Sequence, residues 1–489
     1  MRFRSRWPLA ALAMFLSGLL AWTAAPAAAQ AQRKSVNALT AAELMSFRRG
    51  VAQMMTWNSS PRNSANFRRS WIYWANMHSH FGADCEGPIV GGNMGRVQLW
   101  TAANANERQT WCECQHHNNQ FLTWHRMYLL YFEQVLRQAS GDANLRLPYW
   151  DYAADGRIPQ AFRDQTYVNQ NGQTVANPLY VPERKANLNN GSQALQPGVS
   201  SSANAMSATS EATFRTRLEA TPHGSVHCTL PTGGCPNGLM GTTAPAALDP
   251  IFYMHHSNID RLYECWLRVD QANRLPKAAA VLNERFSFVD GAGTVRQRQV
   301  RDMLTTSQLG YGYTQGQGCP AARGAPQVVV AQASPERSFT PAAGGGGTTL
   351  GRGTTEAPVV VEAPAASGAA RGNAAAAARA TVTIVDLQAH GSPGVMYNVY
   401  LANAAGRRAQ IGVIDFFGFG GHAHGQTART LDFDATDAMK ALGLVPGNAP
   451  KLIFEPTTGA TDSTVAAAVA TMAPDAAVTY RTARLRFGG

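Results

Sequence analysis

Charge is scarce in this chain. Asp, Glu, Lys and Arg together make up 15% of its 489 residues, against roughly a quarter in an ordinary soluble domain. The formal net charge of +11 is spread thinly, with no lysine-rich or arginine-rich run. Nucleic-acid binding wants a concentrated basic stripe and a reader motif, so no nucleic-acid partner is expected. No Cys-x-x-Cys pair and no His-Glu-x-x-His motif occurs, which removes the usual signatures of zinc sites. The apolar stretch from Pro8 to Trp22 is short for a membrane span and runs into Thr23-Ala24-Ala25-Pro26-Ala27-Ala28-Ala29. With Arg2, Arg4 and Arg6 ahead of it, it predicts a signal peptide over residues 1–29 and no membrane segment in the mature protein. The arginines are not consecutive, so a twin-arginine route is not indicated. The expected location is secreted or periplasmic.

Cysteine is sparse too. The seven are Cys85, Cys112, Cys114, Cys228, Cys235, Cys265 and Cys319. In an oxidising compartment disulfides are expected, and an odd number leaves at least one cysteine outside intrachain pairs. Cys228 and Cys235 close a short Thr-Leu-Pro-Thr-Gly-Gly loop and form the most plausible pair.

What is present is histidine, and it is clustered. Nine of the twelve fall in three groups: His78 and His80; His116, His117 and His125; and His223, His227, His255 and His256. Neutral imidazole is the commonest metal ligand, and sites without carboxylates suit copper, zinc, iron or nickel rather than magnesium or calcium. Three ligands per metal leave an open side, as in a catalytic or gas-binding site.

Periodicity places these clusters on helices. Residues 121–138 carry apolar side chains at helical spacing with no glycine or proline, which predicts a buried helix. Asp249-Pro250 predicts another helix start, running to about Leu267 with His255 and His256 in its first turns. His223 and His227, four apart, share a helical face. Residues 155–210, rich in Asn, Gln, Ser and Gly, read as surface loops with little core. Residues 285–300 alternate as a hairpin around Asp290-Gly291. Residues 321–380, an Ala/Gly/Thr/Pro-rich stretch, read as a disordered linker. Thr381 to Asp386, Val395 to Leu401, Ala409 to Phe417 and Val478 to Phe487 alternate as strands of a small β domain over residues 381–489.

Two long motifs then carry a resemblance. His116-x4-Phe121-Leu122-x-Trp124-His125-Arg126-x2-Leu129-x3-Glu133 resembles the copper-A signature of the tyrosinase family. Asp249-Pro250-x-Phe252-Tyr253-x2-His256-x3-Asp260-Arg261 resembles its copper-B signature. The likeness to plant-type polyphenol oxidases extends through Phe286-Ser287-Phe288 and Val300-Arg301-Asp302 to Leu309-Gly310-Tyr311-Gly312-Tyr313. It implies a mainly α protein: a four-helix-bundle dicopper core with long loops over residues 35–320, followed by a β-sandwich-like C-terminal domain. Copper A would take His78, His116 and His125, and copper B His223, His227 and His256. His80, His117 and His255 would support or pack, and Arg126 and Asp260 would hold their helices through buried ion pairs.

The resemblance also implies an activity, the oxidation of o-diphenols to o-quinones with dioxygen reduced to water. Small phenols or catechols and dioxygen are the expected partners. Glu219 matches an acid that, in similar enzymes, holds a water able to deprotonate phenol. Gly224 stands where the family's helper asparagine follows the first copper-B ligand, so monophenol hydroxylation should be the weaker activity. Thr243, three residues after Met240, replaces a bulky phenylalanine over copper A and implies access for large phenols. Cys114-x-His116 resembles fungal enzymes in which that cysteine is joined to a histidine by a thioether. The plant arrangement would point to Cys85 instead. Met396 to Leu401 and Asp415 to Phe419, followed by His422 and His424, resemble the C-terminal domain that covers the copper site in plant enzymes, which implies a latent proenzyme.

Other readings compete. Zinc on His223, His227 and Cys228 lacks a supporting motif. A multicopper oxidase would need His-x-His pairs spread over several β domains. A haemocyanin-like oxygen carrier uses the same dicopper site, and an o-aminophenol oxidase the same chemistry.

Overall fold

The structure is a computed structural model that describes residues 30–78, 103–319, 347–362, 379–390, 393–419, 428–445, 448–473 and 475–488. The expected signal peptide, His80, Cys85, His422 and His424 lie outside the described residues.

The histidine-bearing half is helical. The helix Ala41–Thr56 starts on a capping box in which Thr40 and Glu43 satisfy each other's backbone N–H groups. It packs against the helix Phe121–Ser140, close enough that a Cβ on Gly50 would press on Leu136. Phe121–Ser140 buries sixteen of its twenty residues and stops at Gly141, whose φ of 68° is the left-handed conformation that glycine adopts at helix ends. Trp71–His78 is buried throughout. Ile251–Leu267 begins directly after Asp249-Pro250, with Asp249 Oδ1 accepting from Ile251 N at 3.0 Å. The fourth histidine-bearing segment is irregular. Glu219–Gly224 winds as a wide π turn with Thr221 extended, and Ser225–Thr229 resumes the α-helix.

Buried ion pairs lock these helices together. Arg126 Nε donates to Asp260 Oδ1 at 2.6 Å, and the hydroxyls of Tyr311 and Tyr313 donate to Asp260 Oδ2 at 2.6 Å each. Arg33, on a strand Ala31–Arg33 that pairs in parallel with Tyr311–Tyr313, donates to Glu133 at 2.9 Å. Burial alone would raise the Asp260 carboxyl. Arg126 and Arg33, with the two tyrosine hydroxyls, outweigh it and hold the group below the usual range.

Three expectations are corrected. Residues 155–210 are not merely surface loops: Ile158, Phe162, Leu179, Leu188 and Val199 are fully buried in the main core. Sparse apolar residues at irregular spacing hide such a contribution. Within the expected linker, Thr348–Leu350, Thr355–Pro358 and Val360–Glu362 are strands pairing with Ala477–Tyr480, Lys451–Thr457 and Thr482–Gly488. The expected strand from Val478 to Phe487 is two, Ala477–Tyr480 and Thr482–Gly488, divided at Arg481.

The C-terminal domain is a pair of sheets around one core. Arg379–His390 is the centre of one, flanked by Ala428–Asp434 on one side and the two C-terminal strands on the other. Arg408–Ile414, Met396–Ala402, Lys451–Thr457 and Thr355–Pro358 form the other in that order. Val382, Ile384, Tyr397, Val399, Phe454 and Leu485 pack between them. This domain sits on the helical one. Leu195 and Ala460 form an antiparallel bridge, with Gln196 N donating to Gly459 O and Thr461 N to Ala194 O, both at 2.8 Å. Asn204 ties down the backbone of Asp432 and Asp434, and Lys185 Nζ donates to Thr458 O at 2.7 Å.

Candidate metal centre

Two groups of buried side chains converge where the helices meet. One is His78, Cys114, His116 and His125; the other is His223, His227, His255 and His256. Within each group the potential ligand atoms lie within 4.8 Å of one another. The groups adjoin: ring centroids of His125 and His256 are 4.6 Å apart and stacked, and those of His116 and His223 are 6.0 Å apart. All six residues expected from the signatures are present, and His255, expected only to support, lies beside them.

The hydrogen bonds orient the rings. Nδ1 of His78, His125, His223 and His227 donates to the carbonyls of Thr243, Phe121, Glu219 and Met240 at 2.9, 2.8, 3.0 and 2.7 Å. That fixes the tautomer and leaves Nε2 with its lone pair inward. Burial, reinforced by neighbouring imidazoles for most of them, drives every one of these histidines towards the neutral form. His125 and His227 are pushed down to about 3, and His78, His116, His223 and His256 well below the usual value. The Nε2 atoms of His78, His116, His125 and His223 have no hydrogen-bond partner among the described residues. Orphaned buried acceptors are costly, and several gathered within 4.8 Å of one another in each group fit a pair of metal ions. The sulfur of Cys114 lies 3.5 Å from Nδ1 of His116. Cys228–Cys235 and Cys265–Cys319 are disulfides, as expected for the first, and Cys112 is also disulfide-bonded.

Glu219 borders the centre. Its Oε1 accepts from His117 N at 2.6 Å, and burial pushes the carboxyl up to about 7 against the pull of that N–H and of Arg215 and Arg429. His117 presents this N–H from a left-handed backbone with φ 55°. Gly224 follows His223 directly, and Thr243 meets the site through its backbone carbonyl.

One occupant comes from the other domain. The ring of Phe417 stacks on His227 at 4.0 Å and 16°, and stands edge-on to His223 at 5.4 Å. Asp415 Oδ1 accepts from Phe417 N at 3.0 Å, and Arg429 donates to Phe417 O and, at 3.3 Å, to His117 Nε2. Sequence reasoning picked out the segment from Asp415 to Phe419. It did not pick which ring enters the site, nor Arg429, whose partners are over ten residues away.

This geometry defines two adjoining, histidine-rich groups able to hold a pair of metal ions in a helical core. Comparisons agree. The family model for the common central domain of tyrosinase matches residues 68–197 and 182–269. A tyrosinase of Hahella sp. (strain CCB-MM4) is 35% identical over 237 residues, 42% of this chain and 48% of that protein. A chloroplastic polyphenol oxidase of Spinacia oleracea is 27% identical over 284 residues, 50% of this chain and 42% of that one. The chain thus spans about half the length of the curated relatives it matches. The structure of latent apple tyrosinase has the same fold across both domains, with a TM-score of 0.59 at 19% identity over 94% of this chain and 97% of that one. Residues 68–269 thus match the central domain of the tyrosinase and polyphenol oxidase family of type-3 copper proteins, and the two histidine groups fit the two copper ions of that family.

Proposed function

We propose that this protein oxidises o-diphenols to o-quinones, with dioxygen as the oxidant reduced to water, and that the full-length chain is latent. The observation that carries this reading is the Phe417 ring lying flat on His227 inside a double histidine centre. A space that accepts a planar aromatic ring stacked on a ligand imidazole accepts a phenol in the same pose. The copper pair, held by His78, His116 and His125 and by His223, His227 and His256, supplies the redox chemistry when bound. The chain's own residues do the rest. Backbone carbonyls fix the imidazoles, Phe252 and the helices exclude water, and Glu219 stands ready to take a phenolic proton through a water.

Gly224 offers that water no polar partner, so diphenol oxidation should exceed monophenol hydroxylation. A small Thr243 suits large phenols. Cys114, 3.5 Å from the His116 ring, is placed for the thioether known from similar fungal enzymes. A peptide map with Cys114 in a disulfide, or unmodified, counts against it. The expected signal peptide and the disulfides support an exported protein. Among the described residues no helix is long and apolar enough to cross a membrane.

A second reading has one observation behind it. A functional unit of octopus haemocyanin shares the fold with a TM-score of 0.50 at 16% identity. Quinone formation from catechol, L-DOPA and tyrosine by the copper-loaded protein separates the two. An oxidase forms quinone, fastest from the diphenols. Reversible oxygen binding without product contradicts the proposal, and equal rates on tyrosine and L-DOPA contradict the order of activities.

A further inference from the structure

The residue after the first copper-B ligand is in van der Waals conflict with the C-terminal domain unless it is glycine. Gly224 has an ordinary helical backbone, φ −64° and ψ −37°, so its conformation does not call for glycine, and helices disfavour it relative to alanine. Space does call for it. A Cβ there would stand 2.7 Å from Cγ of Asp415 and closer still to Oδ1. Asp415 is not free to step aside. It is 1% exposed, its Oδ1 accepts from Phe417 N at 3.0 Å, and Arg429 lies 3.7 Å away. The Asp415 carboxylate therefore fills the notch where a side chain at 224 would lie, and the same carboxylate holds the backbone of the ring that occupies the centre.

We propose that Gly224 is the socket on which the C-terminal domain closes, with Asp415 as its plug, so that the residue at 224 sets whether the chain can be latent. This rests on the latent reading above and adds the residue pair that enforces it. Any side chain at 224 collides with Asp415 and displaces Phe417 from His227. The position thus couples two properties, because the same small residue that withholds a polar partner from the Glu219 water makes room for the plug.

The test uses the full-length, copper-loaded protein, intact and after limited proteolysis between Cys319 and Gly347. Two quantities are read: the ratio of catechol oxidation after cleavage to that before, and whether the cleaved C-terminal domain co-elutes with the core on gel filtration. The unaltered chain should show a ratio of at least about ten and co-elution. In Gly224→Ala closure should weaken about tenfold or more, the usual scale for overfilling a packed site. The ratio then falls towards one and the domains elute apart. Asp415→Glu makes the same test from the domain that carries none of the six expected copper ligands, since its longer side chain overruns the notch, and should give the same result. Parent-like ratios and co-elution in both variants overturn the socket. A ratio of one in the unaltered chain overturns the latent reading on which it stands.

Discussion

His255 and His256 are adjacent, chemically identical and fully buried, yet the fold gives them different surroundings. His256 lies between the two groups, 4.6 Å from the ring of His125 and 5.8 Å from that of His78. His255 faces Tyr152 at 5.9 Å and stacks on His223. Neighbouring helical residues point about 100° apart, so only one can face the partner group. His256→Gln should therefore retain about one copper per chain and lose quinone formation. His255→Gln should keep two, with activity reduced by about ten- to a hundredfold, the range for groups that support a ligand. Metal analysis of the folded variants checks both, and equal copper loss in the two would contradict the assignment. Spacing alone could not separate the doublet. The copper-B resemblance favoured His256, and the contact with His125 supplies the physical reason. Gly224 was legible as a missing asparagine, but its contact with Asp415 spans nearly two hundred residues and leaves no local signal. For the same reason Gly224→Asn should be assayed after cleavage, where only the monophenol rate should rise.

Among the elements, Phe121–Ser140 and Ile251–Leu267 were legible because long amphipathic helices carry their pattern in every turn. The strands Thr348–Leu350 and Thr355–Pro358 were not, since three or four residues at a sheet edge owe their conformation to ladder partners far along the chain, such as Tyr480 for Thr348 and Phe454 for Thr355. Beside their apolar packing, the two long helices are joined by the buried pair of Arg126 and Asp260. Because its carboxyl is held below the ordinary value of 3.8, the stabilisation is present above that value and lost as pH falls through the lowered one. Asp260→Asn leaves Arg126 buried beside a neutral partner. It should cost about 3–5 kcal/mol at pH 7, and the difference from the unaltered protein should shrink once the pH is taken below the ordinary value of 3.8. Urea unfolding at the two pH values reads this directly, and a pH-independent difference would contradict the ion-pair account.

At the scale of the whole molecule, the domains are joined by a bridge at Leu195 and Ala460, the Asn204 contacts, the Phe417 ring on His227 and Lys185. Lys185 is half-buried with its ammonium donating to Thr458 O, and burial lowers its pKa to about 7. A lysine returned to water titrates near 10.4. Between those values the closed molecule binds fewer protons than the open one, so closure should strengthen as pH rises from about 7 to 10. Lys185→Met should flatten that trend in the ratio of cleaved to intact activity. Identical trends in variant and parent would rule Lys185 out as its source.

In the proposed function, a double histidine centre that oxidises phenols is covered by the molecule's own C-terminal domain. The most direct measurement is oxygen uptake and quinone formation from catechol by the copper-loaded protein, before and after cleavage between the domains. Low turnover in the intact chain, a rise of at least about tenfold on cleavage, and one dioxygen consumed for every two quinones formed are expected. Oxygen bound reversibly without quinone in either form would contradict the proposed function.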